Sequence, residues 1–329
     1  MQLSLLDFGY VPPATSAAEE LRQLVESAPV TESLGYSRFW LAEHHEAHFS
    51  YSVPEILIPV IAARTSRIRV GAAGVLLHFH SPLKIAESFR MLEALYPGRI
   101  DLGVASGVTG SAMIQRALRH GFDMNDAVQT RLYTSQVEEL IGWCRNTIVP
   151  TVKLYGGPTP VGHPSPPIML LGGGKGQGNM IMAAKHGTAF CYSLSHGMSD
   201  TGAETVRRYR EQFTPSTQAD QPHAMIAASV ICGETNNEAI AMQNYFFALD
   251  KNLKATVIGR PERCRDRIRE LLDEYGCDEF VVMPMANNYG AKLDAYRMLA
   301  EACGIKRPEP ANPDPPAAAE PVPAMPGSI

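Results

Sequence analysis

The feature that most constrains the fold is a repeated alternation along the chain. Short apolar runs, rich in β-branched residues, are each followed by a segment of helical character. Strands are expected at 2–6, 38–41, 68–77, 100–105, 168–171, 188–192, 223–232 and 279–283. Helices are expected at 17–34, 53–65, 82–95, 127–144, 179–186, 203–213, 237–249, 262–275 and 294–303. Pro29 should kink or break the first of these, because proline lacks an amide donor and clashes with the preceding turn. Eight strand-then-helix units predict an α/β protein, a TIM-like (β/α)8 barrel of parallel strands. An open doubly wound sheet is the alternative that counting alone does not separate.

Residues 147–167 are rich in glycine and proline and read as an insertion in the middle of the chain, with TVKLYGGPTP as a hairpin. Residues 1–305 read as a single barrel domain. The tail 306–329 is rich in proline and alanine and is expected to be disordered, since it has too little apolar surface to pack. Hydrophobic residues make up 45% of the 329 and charged ones 19%, which fits a large buried core. The net charge of −5, without a basic stripe, gives no reason to expect nucleic acid. The start lacks the charged and apolar regions of a signal peptide, and no apolar run approaches the ~20 residues of a membrane helix. A cytoplasmic protein is expected. Its six cysteines form no C-x-x-C pair and read as reduced thiols.

Four stretches carry candidate chemistry. FWLAEHHEAHF (39–49) follows the second strand and concentrates Glu43, His44, His45, Glu46 and His48. On the strand-end face of a barrel it is an acid–base site, a metal site or a solvated polar loop. The H-E-x-x-H spacing of zincins is not met, because Phe49 stands at the second histidine position. HFH (78–80) ends the third strand and resembles half of a metallohydrolase site, but later strand ends offer no matching ligand set. LLGGGKGQGN (170–179) lies between a strand and a helix. Its backbone amides and Lys175 suit an anion at a helix N-terminus, although it is neither a P-loop nor G-x-G-x-x-G; a flexible loop is the bland alternative. IDLGVASGVTG (100–110) ends the fourth strand with small residues that admit a flat ligand or simply pack tightly.

The stretches LGYSRFWLAEHH (34–45), RTSRIRVGAAGVLLHFHSPLKIAESFRMLEALYPGRIDLGVASG (64–107), PIMLLGGG (167–174) and CDEFVVMP (277–284) together resemble the bacterial luciferase-like flavin-dependent monooxygenases. The resemblance covers most of residues 1–305. It implies a TIM-like barrel, reduced FMN delivered by a separate flavin reductase, dioxygen as co-substrate, and oxygenation of a small organic substrate through a flavin C4a-peroxide. It implies a dimer, either homodimer or heterodimer. By resemblance His44 is the catalytic histidine, with Glu43 and His45 as companions, one or the other of which orients its ring. Leu77, His78, Phe79 and His80 match a strand end where a cis peptide often lies under the flavin ring. Gly173, Gly174, Lys175, Gly176, Gln177, Gly178 and Asn179 match the loop and helix start that hold the flavin phosphate. Ser106 and Gly107 fall where the fourth strand meets that phosphate. Many relatives carry an arginine at the position of Ser106. Three other readings follow: a flavin or deazaflavin oxidoreductase without oxygenation, a flavin-free or flavin-storing subunit of a heterodimer, and a metallohydrolase using His78 and His80.

Overall fold

The computed structural model describes residues 1–107, 111–119, 126–148, 158–174, 176–196 and 201–306. The expected hairpin falls largely outside these residues, as do Lys175 and the Pro/Ala-rich tail beyond 306. Among the described residues the elements run in chain order: β1 Gln2–Asp7, α1 Ala17–Leu34, β2 Arg38–Leu41, α2 Pro54–Ala63, β3 Arg69–Leu76, α3 Pro82–Leu95, β4 Ile100–Ala105. Next come α4 Ala112–Leu118, α5 Asp126–Cys144, β5 Ile168–Gly173, α6 Gly178–His186, β6 Ala189–Ser193, α7 Gly202–Gln212, β7 Ala224–Cys232. The chain continues with α8 Asn236–Leu249, β8 Val257–Gly259, α9 Pro261–Tyr275, β9 Glu279–Pro284 and α10 Tyr289–Cys303. All strand pairings are parallel, and β1 through β7 with β9 close into an eight-stranded barrel through β7–β9 and β9–β1. β8 is a ninth strand outside that ring, pairing with the far end of β7 (Val230↔Val257, Cys232↔Gly259).

Side-chain alternation along each strand builds two cores. Leu3 and Leu5 of β1, Phe39 and Leu41 of β2, and Val70 and Ala72 of β3 face the helices and join one large buried shell. Leu6, Trp40, Ala73, Met169, Cys191, Met225, Ala227, Val281 and Met283 face inward and fill the barrel. At Gly103 an added Cβ would lie 2.4 Å from the Ala72 carbonyl oxygen, so only glycine lets β3 and β4 approach this closely.

The floor of the barrel is ionic. Asp101 accepts bonds from Arg38 Nη1 (2.7 Å), Trp40 Nε1 (2.8 Å) and Arg69 Nε (2.8 Å). Glu279 accepts from Arg38 Nε (2.9 Å) and from the Ser4 hydroxyl, and its other oxygen meets His223 Nε2 at 3.1 Å. Burial alone would raise the Asp101 pKa, but the two guanidinium groups hold it below the ordinary aspartate value.

Two expectations are corrected. Helix α1 runs through Pro29 without a break. Its buried Leu24, Val25, Ala28 and Thr31 flank the proline on both sides, so packing outweighs the one lost backbone bond. The non-proline cis peptide bond lies at Ala73–Gly74 inside β3, not at Leu77–His80, which instead form a single 3-10 turn and its exit.

Candidate active site

Parallel strands bring all their C-terminal ends to one face, and the histidine-rich segment sits there. The segment is held by Tyr51, whose hydroxyl donates to the Asp7 carbonyl and accepts from the Ala42 amide (3.1 Å). Val11 N donates to the His48 carbonyl (2.9 Å) and Ser50 N to the Gly9 carbonyl (2.7 Å), which ties the segment to the chain after β1. Behind Asp7, the buried Lys292 ammonium of α10 donates to Asp7 Oδ2 (3.1 Å) and to Glu20 Oε1 of α1 (2.6 Å).

The alternation that turns Trp40 and Ala42 inward carries on through the loop. It places His44 on the mouth side and Glu43 on the side facing β3. The His44 ring stacks on Phe49 (centroids 4.4 Å apart) and lies 5.0 Å from Phe8, which packs against the interior cluster. Its side chain is 31% exposed, and Nδ1 stands 3.7 Å from Glu46 Oε2. The imidazole is therefore held by rings but open to a ligand at the mouth.

Glu43 does a different job from the expected one. It does not orient His44. Its Oε1 is bonded to His45 Nε2 (2.9 Å) and to His80 Nε2 (2.8 Å), while Oε2 accepts from the Leu76 amide (2.8 Å). The carboxylate beside His44 is that of Glu46. Glu43 is thus a buried clamp between the ends of β2 and β3. Burial works against its charge, but the bonds from His45 and His80 outweigh burial and hold its pKa down to about 2. Burial also works against a charged His80, and the bond and charge of Glu43 reverse the sign, so the His80 pKa is raised above 6.5.

A pH prediction follows from the clamp. Glu43 titrates near 4.5 when unfolded and at about 2 when folded, so its contribution is full above 4.5 and lost as pH falls toward 2. His80 is raised, so its contribution is full below 6.5 and lost as pH rises through its folded value. The unfolding free energy of wild type should exceed that of Glu43→Gln most between about pH 4.5 and 6.5 and narrow on both sides, as read by denaturant titrations across pH. A difference that stays constant with pH would contradict the clamp.

His78 and His80 do not converge. His80 turns to Glu43, whereas His78 is buried, packs at a tilt against the Tyr133 ring of α5 (4.7 Å) and meets the Ser106 backbone. No group of three or more His, Cys, Asp or Glu that could hold a metal occurs among the described residues. Phe79 lies under the Arg119 guanidinium at 5.0 Å. Ser106 and Gly107, both exposed, follow β4, and Ser106 Oγ lies 3.4 Å from Asn179 Nδ2. Asn179 also donates to the Leu171 carbonyl, which ties the start of α6 to the end of β5. Gly173 and Gly174 close β5 into a turn, with Gly174 in the left-handed region (φ 59°). The segment Gly176–Gly178 then leads into α6, whose N-cap, Gln177, makes no side-chain capping bond. Gln177 Oε1 instead accepts from Arg208 of α7 (2.7 Å).

Sequence reasoning did not single out Tyr133, Arg119, Arg208 or the Asp7–Glu20–Lys292 triad. Each acts through partners far away in the chain, so no local spacing marks it. The inward parity of His44, by contrast, can be read from FWLAEHH once Trp40 is placed inside.

A histidine at the strand-end face of a closed parallel barrel, with a glycine-rich helix start that lacks a side-chain cap elsewhere on the same face, is the layout of a (β/α)8 barrel enzyme's mouth. Comparison with known proteins gives the family. The model for luciferase-like monooxygenases matches residues 1–255. YwcH of Bacillus subtilis (strain 168), an uncharacterised protein, is 32% identical over 92% of this chain and 99% of its own. The N-acetyl-S-alkylcysteine monooxygenase of the same organism is 28% identical, covering 92% of this chain and 98% of its own. Among solved structures, apo-MsnO8 superposes with a TM-score of 0.81 at 30% identity, over 93% of this chain and 99% of that one. The oxygenating constituent of 3,6-diketocamphane monooxygenase from Pseudomonas putida, a type II Baeyer–Villiger monooxygenase solved with FMN, shares the fold at 17% identity (TM-score 0.70, 94% and 99% covered). The chain belongs to the luciferase-like monooxygenase family and is an enzyme of the flavin-dependent oxidoreductase class.

Proposed function

We propose that this protein is a two-component monooxygenase that uses reduced FMN from a separate reductase and dioxygen to oxygenate a small organic substrate. The observation that carries this reading is His44, turned to the barrel mouth and held between Phe8 and Phe49 with its ring partly open. Family membership and the FMN-bound neighbour support the choice of cofactor.

The residues fit such a cofactor. The start of α6 carries amides with no side-chain cap, and its approach is open. A Cβ at Gly178 would meet nothing within 4 Å, and one at Gly176 only the Gly173 carbonyl at 3.8 Å. Backbone amides at a helix N-terminus hold a phosphate through aligned dipoles. The amides of the segment Gly176–Asn179, with Ser106 and Gly107 opposite, are the groups that would hold it. Bound there, reduced FMN supplies the two electrons that activate dioxygen. The chain's own part is to position and protect. Leu6, Ala73, Met169 and Met283 fill the barrel beneath the mouth with apolar atoms, which keeps water from reaching the site from below. His44 holds or gives a proton at its imidazole, with Glu46 beside Nδ1.

The proposed substrate is a small, mostly apolar molecule with an oxidisable centre, such as a thioether, ketone or aldehyde, in keeping with the apolar barrel interior and with the relative named an N-acetyl-S-alkylcysteine monooxygenase. The test is turnover of such a panel under labelled dioxygen with an added flavin reductase. Label in the product supports oxygenation; oxidised product without label would replace it with hydride transfer to a flavin or deazaflavin.

The working unit is proposed to be a homodimer. Helix α2, PEILIPVIAA, is apolar on nearly every side, and a helix of that kind is normally covered. On α2, Ile56 is 66% exposed and Val60 44%, and on neighbouring α3 Leu95 is 67% exposed. Sedimentation equilibrium should give twice the chain mass, and Ile56→Glu should lower it; a monomeric wild type would refute the pairing.

A further inference from the structure

Around the end of β4 lies a group of buried polar atoms with no hydrogen-bond partner. They are Nε and Nη2 of Arg119, Nδ1 of His78, the hydroxyl of Tyr133 and Oε1 of Gln136. Arg119 matters most. Arg119 is only 9% exposed, and among the described residues its side chain makes one hydrogen bond, a long one from Nη1 to Gln115 Oε1 (3.5 Å). No carboxylate of the described residues lies within ion-pair distance of it. A guanidinium taken out of water without a counter-charge is costly, and it is retained where an anion completes it.

The surroundings say where that anion would sit. Arg119 lies over the Phe79 ring, and its charge lowers the His78 pKa, after burial, so the two groups are close. His78 packs on Tyr133 and meets the Ser106 backbone, and Ser106 Oγ lies 3.4 Å from Asn179 Nδ2. Asn179 is the second residue of α6, whose N-terminus has no side-chain cap. The orphaned guanidinium and the uncapped helix start therefore belong to one neighbourhood. Ser106 brings no charge to it, and Arg208, on the other side, is already bonded to Gln177.

We infer that Arg119, from α4, is the cation that holds the phosphate of the cofactor, with Asn179 and the α6 amides completing the cradle. This rests on the flavin reading above and adds a residue to it. A guanidinium is suited to the role because its fork can meet two phosphate oxygens at once. The Phe79 ring lies against that group, 5.0 Å from Cζ to the ring centroid.

The experiment measures anaerobic binding of reduced FMN and of reduced riboflavin, which lacks the phosphate. Wild type, Arg119→Met and Arg119→Lys are compared, with Arg208→Met as a control and circular dichroism to check folding. Wild type should bind FMN at least about tenfold more tightly than riboflavin, as a charge-assisted contact of this kind implies. Arg119→Met should remove most of that preference while leaving riboflavin affinity unchanged, and Arg119→Lys should restore part of it. An Arg119→Met protein that keeps the full preference would overturn the assignment, as would loss of the preference only in Arg208→Met. If wild type binds neither flavin, inorganic phosphate separates the two claims. Arg119-dependent stabilisation by phosphate would support the anion site while removing the flavin reading. No response to phosphate would overturn both.

Discussion

His44→Ala should lower kcat on an accepted substrate by about 10²–10⁴-fold, the usual range for losing a general acid–base group. Binding of reduced flavin should change little, because the imidazole lies over the mouth and away from the α6 end that would take the phosphate. Folding should also be kept, since the ring sits at a half-open position against Phe8 and Phe49 rather than in the core. His48 gives the control. It is exposed, packs at a tilt against the same Phe49 (4.2 Å) and lies near Tyr10, so His48→Ala should stay within about twofold of wild type. A His44→Ala protein that binds flavin and turns over at the wild-type rate would remove the acid–base role. Equal losses in both variants would point to the Phe49 stack rather than to His44.

The largest expected loss of stability lies at the opposite end of the barrel. Asp101→Ala removes the shared acceptor of Arg38, Arg69 and Trp40 and leaves two guanidiniums facing each other near the floor. Glu279 still answers Arg38, while Arg69 keeps hydrogen bonds to the Gly98 and Ile100 carbonyls and the more distant charge of Glu93. Breaking a buried pair on one side costs about 3–5 kcal/mol, most of it from the charge left behind. Denaturant unfolding should show that loss, while flavin binding at the far face is retained in the folded protein. A change below about 1 kcal/mol would mean that water reaches the floor and replaces the carboxylate.

These two sites differ in how legible they were. The barrel could be read because each strand is a compact apolar run bounded by turns, and because helices of regular length lie between them. β8 could not, since Val257–Gly259 is three residues long and is recruited only by the far end of β7. Pro29 misled because a local rule about proline was applied to a helix whose buried face decides the outcome. At the mouth, the histidine cluster could be located but not sorted. Residue types alone do not tell His44, open to the mouth, from His45, bonded to a carboxylate. Strand parity does, and so do the bonds of Glu43. The floor network is non-local: Arg38 meets Asp101 across 63 residues and Glu279 across 241. The same holds for Arg119, whose meaning comes from a missing partner, a property that only the packed structure defines.

The most direct test of the central claim needs no substrate. The protein is titrated anaerobically with photoreduced FMN and then mixed rapidly with oxygenated buffer. Saturable binding, followed by reoxidation clearly slower than that of free reduced FMN, is the result expected of a barrel that receives the reduced cofactor and shields it at the mouth. No binding, or reoxidation at the rate of the free flavin, would contradict it.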